Sequence, residues 1–262
     1  MNTFLLERYQ TGDSLLHQLD PRVKMIVTLL LILGIVITPP AAWPAYPLLW
    51  ALVASLAALG RLSVGNLARK AAIALPFTLA AMTLIFTTPG QTISTILGLP
   101  VTDTGLVRFI AVIFKSWLAV QAALLLAMTT HLTDLLWALQ SLRLPATLVA
   151  VIAFMYRYLF TLQNEAERLL RARTARSGIT PDYRSGGSLL WRARIAGGMV
   201  GNLFLRSFER SERIYAAMLA RGYTGVMHQL TPPTLTRRTV ILGSLPVLAL
   251  ALIELLAFIW WS

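Results

Sequence analysis

The sequence predicts an all-α, polytopic membrane protein with about five transmembrane helices and a cytoplasmic domain of long amphipathic helices. Three observations lead to this fold class. Of the 262 residues, 56% are hydrophobic and only 13% are charged, a composition too apolar for a soluble domain. Apolar runs of membrane-spanning length recur along the chain. Between the fourth and the last of these runs lies a long stretch that is rich in arginine.

Five apolar segments are predicted to cross the membrane, because a helix of about 20 mainly apolar residues spans the hydrocarbon core. From the amino terminus they cover approximately residues 23–38, 45–60, 71–88, 106–128 and 239–261. They divide the chain into three expected regions. Transmembrane helices one to four occupy residues 1–130, a cytoplasmic domain occupies residues 131–238, and the last transmembrane helix occupies residues 239–262.

The charge of the loops sets the orientation of these segments. The first loop, "TPPAAWPAY", and the third, "PGQTISTILGLPVTDTG", contain no lysine or arginine, whereas the second, "RLSVGNLARK", contains three basic residues. Because basic loops stay on the cytoplasmic side, the amino terminus, the second loop and residues 131–238 are predicted to be cytoplasmic. Retention of basic loops at that face then explains the net charge of +12 better than nucleic-acid binding does.

Two single cysteines test this orientation, because the chain has no cysteine of its own. Gln91→Cys lies in the predicted outer loop, and Ser185→Cys lies in the predicted cytoplasmic domain. In intact cells we expect a membrane-impermeant maleimide to label only the first variant, and in permeabilised cells to label both. Labelling of both variants in intact cells would contradict the predicted topology.

The cytoplasmic domain is predicted to contain two long amphipathic helices joined by the turn-rich segment "ITPDYRSGGS". The first begins near Pro145, a residue that suits the first helical turn. Arg157 interrupts its apolar half, so a full crossing is not expected, but the sequence leaves open whether residues 145–163 cross the membrane or lie along it. The second helix runs from about residue 189 to 221 and closes at Gly222.

No pattern in the sequence indicates catalysis, a cofactor or a metal site. The chain lacks the GxxxxGK[ST] motif of a P-loop, and without cysteine it has no thiolate ligand or nucleophile. The histidines His17, His131 and His228 lie far apart, with no partner at helical ligand spacing. We therefore expect a non-catalytic chain that binds no metal ion and no cofactor of its own.

The two cytoplasmic helices end in the same pattern, E-R-[LI]-x-x-A-x-x-A-R, which closes at Arg176 in the first helix and at Arg221 in the second. Acidic and basic residues within this part of each helix are expected to support the helices through i,i+4 pairs, Glu167 with Arg171 and Glu209 with Arg213. The Glu-Arg dipeptides that open the pattern are given the same supporting role: Glu167, Arg168, Glu212 and Arg213.

An arginine at a helix end has an ordinary explanation, because a positive charge there interacts with the negative end of the helix dipole and with free carbonyls. Dipole capping, however, does not require an alanine before the arginine or a Glu-Arg dipeptide at a fixed distance. A short alanine keeps the helix tip narrow and leaves the arginine free to enter a groove on a partner. We interpret Arg176 and Arg221 as docking residues for a partner with two equivalent sites, such as a dimer of similar subunits.

The residues that close the two helices resemble the paired Ala-Arg-small signatures of the transmembrane T component of energy-coupling factor (ECF) transporters. They are Ala175, Arg176 and Ser177 in the first helix and Ala220, Arg221 and Gly222 in the second. The segment "SERIYAAMLARGYTG" is most similar to the CbiQ-like branch, which serves cobalt and the related nickel systems. "LLHQLDPRVKMI" also resembles the Leu-Asp-Pro-Arg-x-Lys entry of the family into its first span. Ser177 departs from the glycine of the second signature, at a place where the family tolerates serine.

This resemblance implies a division of labour within a transporter of the bacterial cytoplasmic (inner) membrane. The chain would bind two cytoplasmic ATPase subunits through its coupling helices and a membrane substrate-capture (S) subunit through its spans. ATP would be bound by the ATPase subunits, and the metal would not be ligated by the T component. Arg176 and Arg221 would be the contacts to the two ATPases. The expected substrate is cobalt, with nickel or a vitamin as alternatives.

Two other classes of protein stay open at this point. The permease of an ordinary ABC importer also contacts ATPases from a cytoplasmic helix, but it usually presents one coupling helix per subunit, whereas this chain has two matched tips. A membrane-embedded enzyme would need ionisable residues clustered at one depth within the spans, and the sequence offers little of this.

One pair of ionisable residues does match in depth. Lys115 lies about seven to nine residues inside the outer end of the fourth span, and Glu254 about seven inside that of the last, at about 1.5 Å per residue. Because ionisable side chains in hydrocarbon tend to pair, we predict a Lys115–Glu254 contact that fixes helix packing.

Overall fold

The computed structural model describes residues 12, 14–96, 99–176, 188–225 and 235–261. The chain divides into two compact units. One comprises Asn2–Leu142 and Thr231–Ser262 and is called the membrane unit below, and the other comprises Arg143–Leu230 and is called the inserted unit.

The Asp-Pro dipeptide of the amino-terminal segment "LLHQLDPRVKMI" begins the first helix. The first helix, α1, spans Pro21–Ile37. Oδ1 of Asp20 accepts a hydrogen bond from the backbone N–H of Arg22 at 2.8 Å, which caps the helix. Pro21 takes the first helical position, where a missing N–H costs nothing. The Asp-Pro dipeptide therefore fixes where the first predicted span begins.

The next elements follow the predicted order, but the third apolar segment is broken. Helix α2 spans Ala45–Leu59 and α3 spans Val64–Ala71. Beyond α3 the chain alternates between 3₁₀ turns and two short helices, α4 (Leu75–Thr78) and α5 (Leu84–Thr87). Pro76 lies at the centre of this irregular stretch and removes a backbone donor, so the regular i→i−4 ladder cannot continue through it.

The third loop contains a β-hairpin, which the sequence did not predict. Strand β1 (Thr92–Ile96) pairs antiparallel with β2 (Leu99–Thr102). The next helix, α6, spans Asp103–Thr129. Oγ1 of Thr102 accepts a hydrogen bond from the N–H of Gly105 and donates to the carbonyl of Thr88 at 2.9 Å. Thr102 thereby caps α6 and joins its amino-terminal end to the end of α5.

The core of the membrane unit lies between α1, α2 and α6. Its most buried side chains include Leu31, Ile35, Leu49 and Leu118, which are at most 3% exposed. The unit is completed by α7 (Leu132–Ser141) and α10 (Arg237–Trp261), both of which pack on α1.

The inserted unit consists, in its described part, of two long helices. Helix α8 spans Ala146–Arg176 and α9 spans Leu189–Ala220, close to the two helices predicted from the sequence. Ser188 caps α9, since its Oγ accepts a hydrogen bond from the N–H of Trp191. By length and composition, three helices in the described ranges suffice to cross a membrane: α6, α8 and residues 237–259 of α10. The predicted fold class, an all-α polytopic membrane protein, is confirmed, with one short hairpin as its β structure in the part described.

Candidate functional site

The first predicted docking arginine is the last residue of α8. Arg176 closes the helix, and both Arg176 and Ala175 before it are exposed. Ser177, the third residue of this signature, lies outside the described residues. The described part of the tip is therefore an exposed arginine after a small residue.

The second arginine lies one residue beyond the last turn of α9, at its C-cap. Gly222 follows with φ +80°, the left-handed conformation that glycine adopts without strain. The N–H of Gly222 donates to the carbonyl of Leu219 at 3.0 Å, and the N–H of Tyr223 donates to that of Met218 at 3.0 Å. These two bonds form a Schellman motif, so the exposed Ala-Arg-Gly signature of Ala220 to Gly222 is a defined helix stop.

This geometry bears on the dipole-capping interpretation. Because backbone donors already satisfy the carbonyls of Met218 and Leu219, these two carbonyls do not need the Arg221 guanidinium as a hydrogen-bond partner. Within the described ranges, neither Arg176 nor Arg221 donates a side-chain hydrogen bond or forms an ion pair with the chain. Both guanidinium groups are thus available to a partner.

The two tips point away from each other. The ring of Phe154, near the start of α8, meets the ring of Tyr223, beyond the end of α9, at 6.3 Å and 76°. Glu165, midway along α8, bonds Arg206, midway along α9. Residue numbers rise along one helix as they fall along the other, so the helices are antiparallel. Because Tyr223 meets Phe154, Arg221 lies near the start of α8, whereas Arg176 lies at the end of that helix. At 1.5 Å per residue along α8, the two arginines are therefore on the order of 30 Å apart.

The ion pairs of the inserted unit differ from those predicted. The expected pairs Glu167–Arg171 and Glu209–Arg213 are absent from the ion pairs of the described residues, and Glu167 instead accepts a hydrogen bond from Gln163. Such exposed pairs gain little, because the attraction barely offsets the cost of ordering two long side chains.

Glu165, which no pattern in the sequence indicated, forms ion pairs with arginines of both helices where α8 and α9 cross. Its Oε2 accepts a hydrogen bond from Arg168 at 2.7 Å and its Oε1 one from Arg206 at 3.1 Å. The two hydrogen bonds tie this carboxylate to an arginine of its own helix and to one of the facing helix. Glu212 and Arg213, assigned to helix support, are exposed and take no part in these ion pairs.

A groove of about 560 Å³ runs between α8 and α9. Aromatic and aliphatic side chains of both helices line it, among them Phe154, Tyr158, Ile214 and Met218. Tyr223, two residues beyond Arg221, also lines the groove. The position of the second tip is therefore coupled by packing to the first half of α8.

Lys115 and Glu254 lie at one site in the membrane unit, but Thr38 stands between them. Nζ of Lys115 donates to the carbonyls of Val36 at 2.9 Å and Thr38 at 2.6 Å. Oγ1 of Thr38 donates to Oε1 of Glu254 at 2.7 Å. A direct Lys115–Glu254 ion pair is not among the salt bridges of the described residues. The arrangement joins the carboxyl-terminal end of α1 to both α6 and α10.

Metal ligation finds no support in the described part of the chain. Groups of three or more His, Cys, Asp or Glu side chains that could hold a metal ion are absent from the described ranges. Of the three histidines, His228 lies outside those ranges.

Comparisons with known proteins agree on a family. Residues 12–232 match the CbiQ family, described as "Cobalt transport protein". An energy-coupling factor transporter transmembrane protein EcfT of Listeria innocua is 30% identical over 239 residues, covering 86% of each chain. Proteins of the same name from Acidaminococcus fermentans and Brevibacillus brevis are 28% and 29% identical, and cover 98% and 100% of this chain and 97% and 99% of their own.

These matches cover most or all of the chain, and they agree with the confirmed all-α polytopic fold. The chain therefore belongs to the CbiQ family and is the transmembrane component of an energy-coupling factor transporter, a non-catalytic, multi-pass protein of the bacterial cell membrane.

Proposed function

We propose that this chain transmits the ATP-driven movement of two cytoplasmic ATPase subunits to a membrane substrate-capture subunit. Arg176 binds one ATPase and Arg221 binds the other. The observation that carries the proposal is the pair of exposed arginines, unpaired within the described residues, at opposite ends of one antiparallel helix pair. A separation on the order of 30 Å suits two subunits side by side better than one shared groove.

The chemistry of the tips supports a carboxylate-bearing groove on each ATPase. A guanidinium group donates two parallel hydrogen bonds to a carboxylate, which adds direction to the attraction of the charges. Ala175 and Ala220 precede the arginines and occupy little space, so the groove can close around each arginine. ATP is bound and hydrolysed by the partner subunits in this proposal, and the chain itself carries no cofactor.

The connection between the tips supports transmission of movement. Glu165 of α8 bonds Arg206 of α9 at the helix crossing, and Tyr223 packs on Phe154. A displacement of either tip therefore acts on both helices. The helices are exposed along their apolar sides, with Met155 61% and Phe204 67% exposed. These sides are open to a partner, and we assign the capture subunit as the partner that receives the movement.

The proposed substrate is cobalt. The description of the matching family supports this choice, whereas the names of the EcfT relatives specify no substrate. Selection of the ion is assigned to the capture subunit, so the substrate follows from the subunits with which this chain assembles. Nickel and vitamins are the alternative substrates, and a measurement of uptake distinguishes them from cobalt.

Uptake by the whole transporter tests the function and the substrate together. Cells that express this chain with its ATPases and its capture subunit are expected to accumulate radiolabelled cobalt faster than cells that lack only this chain. The matched control contains the full set of subunits with an ATPase variant that does not hydrolyse ATP, and should show no gain. Accumulation of nickel or a vitamin in place of cobalt would overturn the substrate, and equal uptake without this chain would overturn the function.

A further inference from the structure

Lysine is rare in this chain, and two of its three lysines, all of which belong to the membrane unit, donate hydrogen bonds to helix-end carbonyls. The other basic residues are all arginines. Lys24 lies in α1 and is only 7% exposed, and Lys115 lies in α6. Lys70, in α3, is exposed. An ammonium group within a membrane domain is costly unless it is fully hydrogen-bonded, so the partners of Lys24 and Lys115 indicate their role.

At the outer side, Lys115 of α6 binds the end of α1. Its ammonium donates to the carbonyl of Val36, in the last turn of α1, at 2.9 Å and to that of Thr38, the C-cap residue, at 2.6 Å. Carbonyls at a helix end lack intrahelical partners and carry the negative end of the helix dipole. Lys115 therefore caps α1.

At the inner side, the relation is reversed. The ammonium of Lys24 in α1 donates to the carbonyl of Thr129, the last residue of α6, at 3.1 Å, and to that of His17 at 3.1 Å. Lys24 therefore caps α6. Each of the two antiparallel helices supplies the lysine that satisfies the carboxyl-terminal end of the other.

The spacing of the four positions fits one register of the two helices. Lys24 and Val36 are 12 residues apart along α1, and Lys115 and Thr129 are 14 apart along α6. At 1.5 Å per residue these separations are about 18 Å and about 21 Å, equal within the reach of a lysine side chain. A shift of one helix by a turn, about 5.4 Å, would remove both ammonium groups from their carbonyls.

We propose that Lys24 and Lys115 are positioning residues that lock α1 and α6 into one rigid antiparallel frame during transport. A compact ammonium group with three donors can bind two carbonyls of a helix end, which a planar guanidinium does less well. Both connections of the inserted unit reach elements packed on this frame, because α7 precedes the unit, α10 follows it, and both pack on α1. Oγ1 of Thr38 adds a bond to Glu254 of α10.

Unfolding of the purified chain in detergent tests the frame itself. The variants are Lys24→Met, Lys115→Met and the double change, with Lys70→Met as the control that removes the same charge from an exposed site. We expect each single change to lower the folded-to-unfolded ratio about tenfold and the control to leave it unchanged. Because both lysines hold one register, the double change should lower the folded-to-unfolded ratio by a smaller factor than the product of the two single factors. The shared register would be overturned if Lys70→Met lowered the folded-to-unfolded ratio as much as Lys24→Met or Lys115→Met does. It would also be overturned if the free-energy losses of Lys24→Met and Lys115→Met were strictly additive in the double variant.

The positioning role rests on the proposed function and needs a second readout, the substrate imported per ATP hydrolysed by the assembled transporter in vesicles. For Lys24→Met and Lys115→Met we expect normal recovery of the ATPases but a several-fold lower import per ATP, because the frame yields when the inserted unit moves. A lower yield of folded protein with unchanged import per ATP would overturn the positioning role. If the unsubstituted chain bound no ATPase, the proposed function would fail, while the unfolding experiment would still decide whether the lysines lock the register.

Discussion

The double variant Arg176→Ala, Arg221→Ala is expected to lose both ATPase subunits on purification, while it still inserts and folds. Each arginine occupies an exposed tip and makes no ion pair among the described residues, so its removal leaves the helices intact. Loss of one partner of a docked guanidinium–carboxylate pair costs about 2–5 kcal/mol, which weakens binding about thirtyfold or more. Each single variant should therefore release one ATPase and lower transport, and the double variant should be worse than either.

Lysine at the same positions separates docking from dipole capping. Arg176→Lys and Arg221→Lys keep the charge but lose the planar fork, so we expect only partial recovery of ATPases and of transport. If the arginines only capped the helix dipoles, lysine would serve as well, and alanine would cost about 0.3–1 kcal/mol of helix stability with assembly intact.

Arginines elsewhere on the same helices supply the matched controls. Arg171→Ala in α8 and Arg194→Ala in α9 remove one exposed positive charge from each helix without changing a tip. Co-purification of the ATPases with these two variants should match that of the unsubstituted chain. Full recovery of ATPases with the double alanine variant would leave capping as the whole role of Arg176 and Arg221.

The parts of the fold that depend on composition were predictable from the sequence. Apolar runs gave the polytopic class, and the predicted second helix, from about residue 189 to 221 with Gly222 after it, agrees with the limits of α9. The break after α3 was not predicted, because the hydropathy of residues 71–88 does not show how Pro76 redistributes backbone hydrogen bonds. The hairpin of β1 and β2 was missed because its loop shows no strand-length alternation of apolar and polar residues.

The candidate site was likewise predictable from the sequence only in part. The repeated Ala-Arg pattern gave the two tips directly, since a local pattern specifies a helix end. Glu165 was missed because its role depends on Arg206, which lies 41 positions away and meets it only where the helices cross. Depth along the spans brought Lys115 and Glu254 together, but the hydroxyl of Thr38 between them depends on how α1 ends, and a helical rise does not give this.

A change at Gly222 is expected to impair coupling even though Arg221 remains. Gly222 has φ +80°, a conformation that costs other residues about 1–2 kcal/mol and β-branched residues the most. Gly222→Val should therefore open the Schellman motif, free the carbonyls of Leu219 and Met218 and redirect the Arg221 side chain. We expect the variant to fold but to lose most of its transport and the ATPase bound at that tip.

Two further variants show whether the geometry of the tip or the strain alone is responsible. Gly222→Asn should retain more ATPase and more transport than Gly222→Val, because asparagine adopts the left-handed conformation more readily. Gly225→Val introduces comparable strain at φ +91°, three residues further on and outside the helix stop, so it should leave ATPase recovery near that of the unsubstituted chain. Equal losses for Gly222→Val and Gly225→Val would mean that general destabilisation, and not the direction of Arg221, limits docking. Normal ATPase recovery with Gly222→Val would mean that the partner tolerates a flexible tip and that the charge of Arg221 is sufficient.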